Sequence, residues 1–388
     1  MSWPRERLGS VAELAREAVH PQSVPAGTRY VGLENISSDG VFSKAADVSP
    51  SELASTKFLF TERHILFGKL RPYLRKTVRP TFAGICSTDI IPIAPSSRVD
   101  RNYLFHFLRT DEVVERATSM ASGANLPRIS PRHLVEFEIP LPPFAEQLRI
   151  AAILDQADGL RRKRRETLVQ LSKLGESLFS STFVDAAEAR EWPVWCVGDL
   201  ATDMRTGPFG SQLLHSEFVD QGVAVIGIDN AVRNEFVWDK RRYITQAKYE
   251  TLSRYRVRPG DLLITIMGTC GRCAVVPDDV PVAINTKHIC CISLDQNVVV
   301  PSFLHAAFLQ HPEILQQLGL EAKGAVMPGL NMGIVKALKL PIPPVHLQKK
   351  FAAALKLIAD EKQRCRQSLD HQDALFASLQ HRAFRGEL

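Results

Sequence analysis

Residues 121–183 of this 388-residue chain recur at 322–384 without a gap, at an offset of 340 − 139 = 201. Of the 63 aligned positions 17 are identical, where average composition gives roughly four. Gly123/Gly324, Pro127/Pro328, Pro142/Pro343, Pro143/Pro344, Gln147/Gln348, Leu154/Leu355, Leu168/Leu369 and Leu178/Leu379 are among them. Weaker echoes run upstream in the same order: Tyr30-Val-Gly-Leu-Glu-Asn-Ile36 against Val225-Ile-Gly-Ile-Asp-Asn-Ala231, and Asn102-Tyr-Leu-Phe against Ser302-Phe-Leu-His. A repeat of this length confines the chain to one architecture used twice.

Each half divides again by composition. Residues 1–138 and 192–339 carry short apolar runs bounded by Gly, Pro and Asp, such as HILFGKLRPYLRKTV and GDLLITIMGTCGRCAVVP, which read as strands. Helices are expected between them over Arg101 to Met120 and Pro301 to Leu318. Residues 139–191 and 340–388 each open on a Pro-Pro pair, which keeps the preceding chain extended and admits a helix only after it. Apolar residues then recur every three or four positions, at Ile150, Leu154, Ala157, Leu168, Leu171, Leu174 and Leu178, and at Phe351, Leu355, Ile358, Cys365, Leu369, Phe376 and Leu379. A helix of about 35 residues spans roughly 50 Å, too long to bury in a small domain. The two stripes are therefore expected to pack on each other as an antiparallel coiled coil. The expected fold is α+β: two globular mixed α/β heads in tandem, each followed by a long helix, with a two-helix rod holding the heads apart.

Composition bounds the function. Seven cysteines, an odd number, and a start, MSWPRERLGS, without an apolar leader point to a reduced, cytoplasmic protein. No run approaches 18 apolar residues, so no membrane span is expected. With 48 Lys+Arg against 42 Asp+Glu, the net charge of +6 permits a polyanion partner without demanding one. There is no Asn-Pro-Pro-Phe or Asp-Pro-Pro-Tyr methylase motif, no Gly-rich S-adenosylmethionine loop, no Walker A lysine and no convincing nuclease Asp…Glu-x-Lys. The chain reads as a binder and not as an enzyme.

The stretch IPLPPFAEQLRIAAILDQAD from Ile139, the LRRKRRETL that follows, SGANLPRIS ahead of it and GPFGSQL at Gly207 to Leu213 together resemble the specificity subunits of Type I restriction-modification systems. The resemblance covers essentially the whole chain. It implies a non-catalytic reader of double-stranded DNA in which 1–138 and 192–339 are target-recognition domains for the two parts of an asymmetric bipartite site. The helical regions 139–191 and 340–388 would then fix the spacer between those parts. Two adenine methyltransferase subunits would dock on the helical regions, with Glu146, Gln147 and Gln348 as partner-binding residues, and restriction/translocase subunits would join. S-adenosylmethionine and ATP would sit on those partners and no cofactor on this chain. The second helix departs from the pattern, with Leu347 where Glu146 stands in the first. A duplicated adaptor that binds proteins alone is the competing reading.

The candidate DNA contacts lie in loops. In the first head Gly68 to Lys76 interleaves Lys69, Arg71, Arg75 and Lys76 with Tyr73, a composition suited to phosphates and guanine edges or, equally, to the wet side of an amphipathic strand. The corresponding stretch of the second head, Met267 to Cys273, offers Thr269 and a single cation, Arg272. Ser87-Thr88-Asp89 and Thr286-Lys287-His288 hold matching places before apolar strands; Thr88, Lys287 and His288 serve there as DNA contacts or turn formers. Asn125 and Arg128, and Ser211 and Gln212 beside the paired Gly207 and Gly210, complete the set. On the first helix Arg161 to Arg165 places five cations in succession, which must wrap the helix because successive residues turn by about 100°. They read as a solvated surface or as phosphate contacts across the spacer; the second helix has only Lys362, Arg364 and Arg366.

Cys270, Cys273, His288, Cys290 and Cys291 have the ingredients of a zinc site. Adjacent Cys290 and Cys291 would point to opposite sides of a strand, and the first head has Leu70 and Tyr73 where Cys270 and Cys273 stand. No metal is expected.

Overall fold

The computed structural model describes residues 3–43, 46–48, 50–238, 241–320 and 329–388; Gly324 and Pro328 of the repeat lie outside them. The chain forms two compact units, residues 1–166 with 366–388, and residues 167–365.

In the first unit Arg5–Arg7 pairs with Glu138–Pro140, the strand that precedes the first long helix. An antiparallel sheet follows in the order Ala12–Leu14, Ile90–Pro95, Ile65–Gly68, Thr77–Val78. A second sheet runs Ala18–Val19, Lys57–Phe60, Gly84–Cys86, Thr28–Val31, Ala46–Val48, with one parallel pair, Thr28–Val31 beside Gly84–Cys86.

The second unit repeats this plan strand for strand. Val194–Cys196 pairs with Lys339–Pro341. The antiparallel sheet is Ala201–Thr206, Ile289–Leu294, Leu262–Thr265, Cys273–Val275. The mixed sheet is Tyr243–Ile244, Val223–Ile226, Ala283–Asn285, Arg256–Val257, and its one parallel pair, Val223–Ile226 beside Ala283–Asn285, matches Thr28–Val31 beside Gly84–Cys86. Among the described residues only Ala18–Val19 has no counterpart.

Central strands are buried on both faces and so read as unbroken apolar runs, ILFG, LLIT and ICCISL. The period of two still operates within them: Cys290 packs with Ile264 and Ile292 in one core, while Cys291 packs with Leu263 and Ala274 in another.

Two expected helices are broken. Arg101–Leu108 stops before Thr110, whose hydroxyl caps a second helix, Asp111–Ser119, by accepting from Val113 N at 3.3 Å. Pro301–Gln310 likewise stops at His311, whose ring accepts from Glu313 N ahead of Pro312–Gln317. The long helices are Phe144–Phe179 and Val345–Ala383, 36 and 39 residues.

Both helices contribute to head cores. In the first unit Ile150, Ala151 and Leu154 share a core with Ala383 and Phe384, whose ring lies 5.1 Å from Tyr103 and 5.6 Å from Phe107. In the second, Phe179 and Phe183 meet Phe351 at 5.8 and 5.1 Å and Phe303 at 6.2 and 4.8 Å. The expected apolar stripe is not continuous, since Leu174 is 54% exposed.

Candidate nucleic-acid interface

Three loops of the first head form one surface. Gly68 ends a strand, and the chain turns through Arg71 and Arg75, both in the left-handed region at φ 50° and 56°, around the short Pro72–Leu74 helix. Such residues cost energy of order 1 kcal/mol each and persist only where neighbours hold them. Here Lys69 N donates to Asp89 O at 2.9 Å, Ile129 N to Lys69 O at 3.1 Å and Arg71 N to Pro127 O at 2.8 Å. The Arg71 side chain reaches Asn125 O at 3.3 Å. Lys69, Arg71, Thr88, Asn125 and Arg128 therefore gather at one place, with Arg71 and Asn125 exposed, while Tyr73, also exposed, stands on the short helix that packs beside Asp111–Ser119. Arg128 is tied down: its Nε and Nη2 donate to both oxygens of Asp89 at 2.8 and 3.0 Å. Those bonds, against the opposing effect of burial, hold the Asp89 carboxyl below the usual range.

Arg75 and Lys76 do not join this surface. Arg75 donates to Asp111 at 2.5 Å and toward Arg109 O at 3.4 Å, and Lys76 Nζ to Leu33 O at 2.7 Å. The second left-handed residue carries the chain back toward the sheet, so these cations become internal ties.

The pairing also corrects the alignment of the heads. Gly68 N donates to Lys76 O at 2.7 Å and Thr265 N to Arg272 O at 2.8 Å, while Gly68 faces Ile90 and Thr265 faces Ile289. Lys76 thus matches Arg272 and Thr77 matches Cys273, because the loop has seven residues in one head, 69–75, and six in the other, 266–271.

In the second head a Cβ on Gly207 would fall 2.1 Å from Asn285 O, so only glycine lets that loop lie against Asn285–Thr286. The loop's far end is tied by Gln212 Oε1, which accepts from Phe209 N at 3.2 Å and Tyr255 Oη at 3.0 Å. Ser211 and Gln212 are exposed. Ile266 N donates to His288 O at 2.9 Å and Thr286 N to Ile226 O at 2.9 Å, which sets the turn bearing Thr269 and Arg272 beside Lys287 and His288. Burial first, then the charges of Lys287 and Arg242, push the His288 imidazole below its usual value. It presents one donor and one acceptor at neutral pH. Arg242, paired with Asp229 at 2.5 Å, escaped the sequence reading because its only signal is three-dimensional. The echo motif has a clear purpose: Asn35 and Asn230 each accept from a glycine N three residues earlier, at 2.8 and 2.9 Å.

The helix entrances are alike to the atom. Gln147 Oε1 accepts from Asp100 N at 2.8 Å, and its Nε2 donates to Arg98 O at 3.0 Å and Pro142 O at 2.9 Å. Gln348 makes the same bonds with Val300 N at 2.8 Å, Val298 O at 3.1 Å and Pro343 O at 2.7 Å. With 1% and 0% exposure, neither offers a partner any surface. The expectation of partner binding is replaced by a structural one, in which each amide staples a Pro-Pro helix start to its own head. Glu146 does remain at the surface and pairs with Arg149 at 2.6 and 2.8 Å.

Of the basic run, Arg161 contacts Asp158 at 3.1 Å and Asp373 at 2.5 Å and covers the Phe376 ring at 4.2 Å, and Arg165 reaches Asp373 at 3.0 Å. Ion pairs between helix segments account for these two cations. The thiols of Cys86 and Cys290 are pushed up to about 12 by burial, and those of Cys273 and Cys291 well above the usual range. Such thiols behave as small apolar side chains, and Cys290 and Cys291 face different cores.

The chain matches the model of the Type I restriction modification DNA specificity domain over residues 58–170 and 190–366. It is 29% identical over 187 residues to the Type I restriction enzyme EcoDI specificity subunit of Escherichia coli, a match covering 47% of this chain and 41% of that protein. Against the EcoBI specificity subunit of Escherichia coli it is 23% identical over 333 residues, 78% of this chain and 68% of the other. The fold is that of a Type-I restriction-modification system S subunit from M. genitalium, with a TM-score of 0.60 at 15% identity, covering 99% of this chain and 96% of that one.

Proposed function

Because the chain belongs to the Type I restriction modification DNA specificity family, we propose that it directs adenine methylation by reading an asymmetric two-part target in double-stranded DNA, one part with each head. The observation that carries this reading is one frame bearing two chemistries. Strand order, the parallel pair and the glutamine staple repeat, while the loops offer Lys69, Arg71, Tyr73 and Asn125 in one head and Thr269, Arg272, Lys287 and His288 in the other. Identical heads on a two-fold frame demand a palindrome; unlike heads read an asymmetric site.

The long helices pair as an antiparallel coiled coil that sets the spacer. Support comes from the falling order of partners along the chain: Arg161 with Asp373 in the first unit, then a Cβ position on Gly175 at 3.5 Å from Leu355 and Phe179 with Phe351 in the second. Two methyltransferase subunits dock on the helical regions, Glu146 among their contacts, and restriction subunits join them; S-adenosylmethionine and ATP belong to those partners. The chain itself is cytoplasmic and carries no catalysis.

Single-molecule sequencing of adenine methylation in the native host, with and without this chain, tests the reading. One asymmetric bipartite motif should vanish on deletion. A methylome that contains such motifs and keeps them all would refute it.

A further inference from the structure

Beside the loop surface of the first head lies a cavity of about 240 Å³ lined by Arg16, Lys69 and Arg132, with Phe58 and Ile91 in its wall; none of its lining residues is acidic. Among the described residues Arg16, Lys69 and Arg132 form no ion pair. Asp89, whose carboxylate feels the charge of Lys69, is engaged on both oxygens by Arg128. Three cations around one opening that no carboxylate lines, two of them, Arg16 and Arg132, exposed, favour an anion in that space.

The position of the cavity is as informative as its charge. Lys69 is fixed by backbone hydrogen bonds on both sides, from its own N to Asp89 O and from Ile129 N to its O, so the residue that opens the exposed loop also borders the cavity. Arg16 follows the strand Ala12–Leu14, and Arg132 lies on the short helix Pro131–Leu134 that follows Arg128. A phosphate held there would fix the register of a nucleic acid whose bases face Arg71 and Asn125. By sequence, Gly333 stands at the repeat partner of Arg132, and by strand pairing Ile266 stands at that of Lys69. The second head has no equivalent cation at either place.

Resting on the DNA-reading function above, we propose that Arg16, Lys69 and Arg132 form a one-sided clamp for a backbone phosphodiester of DNA, a positioning contact without base preference. The test uses the full chain and two fluorescent duplexes, one of random sequence and one carrying the methylated motif, titrated over a range of salt. For Arg16→Gln/Arg132→Gln the affinity for both duplexes should fall about ten-fold and the slope of log K on log salt should shrink by roughly 0.9 for each phosphate lost. The preference for the motif should be unchanged, and Arg16→Lys/Arg132→Lys should recover most of the binding. An unaltered slope in a variant that melts like wild type would overturn the clamp while leaving the DNA-reading function intact. A wild-type chain that binds neither duplex would remove both. Inorganic phosphate at constant ionic strength separates the other source of the same chemistry: a raised melting temperature with an unaltered duplex slope would assign the cavity to a free anion and overturn the DNA assignment.

Discussion

A single amide decides how each long helix leaves its head. Gln147 satisfies one N–H and two carbonyls that no other described group reaches, so Gln147→Leu orphans all three and should destabilise the first unit by about 3 kcal/mol in thermal melting. Glu146→Gln should change the melt by less than about 0.5 kcal/mol, because its ion pair with Arg149 is at the surface; under the docking role proposed above, it should instead weaken methyltransferase pull-down. His106 and Asp155 add a pH dependence. Burial pushes the His106 imidazole down against the pull of Asp155; burial also raises the Asp155 carboxyl, but hydrogen bonds from His106 and Arg79 outweigh it and leave that group below the usual range. Both groups bind protons more readily when unfolded, so the first unit should lose stability as pH falls below about 6.5, first through the histidine and lower down through the carboxylate. Melting His106→Asn across that range should flatten the upper part of the slope; a slope identical to wild type would assign the loss elsewhere.

At the scale of the element, strands were legible and loops were not. Runs such as ICCISL announce a strand buried on both faces, and the opposed facing of Cys290 and Cys291 follows from the pleat alone. Which cation of Lys69 to Lys76 faces outward depends on a loop of seven residues and on two left-handed arginines, and no local pattern encodes either. The burial of the glutamines is hidden from the sequence for a related reason: glutamine is mostly exposed, and what pulls each inward is one carbonyl and one backbone N–H some fifty residues earlier together with a proline carbonyl. Gly207→Ala should displace its loop from Asn285 and weaken reading of the second half-site alone, measurable as relaxed methylation there. Inserting four residues, one helical turn of about 6 Å, near Leu168 should change the spacer and neither half-site; a changed half-site in the methylome would contradict the division of labour between heads and helices.

For the whole molecule, the division of labour means that replacing residues 1–138 by the head of another family member should alter one half-site in the methylome and keep the other. The two units also differ in how the chain supplies them. One is a single stretch, 167–365, whereas the other needs 366–388 to close a core around Phe384. At ordinary elongation rates roughly 10–40 s separate the synthesis of residue 166 from that of residue 388, and the first unit, though begun earlier, lacks a wall until residues 366–388 follow the whole of the second. Order of birth and order of completion are inverted. The head made first spends its early life with Tyr103 and Phe107 uncovered and waits for residues 366–388 to return.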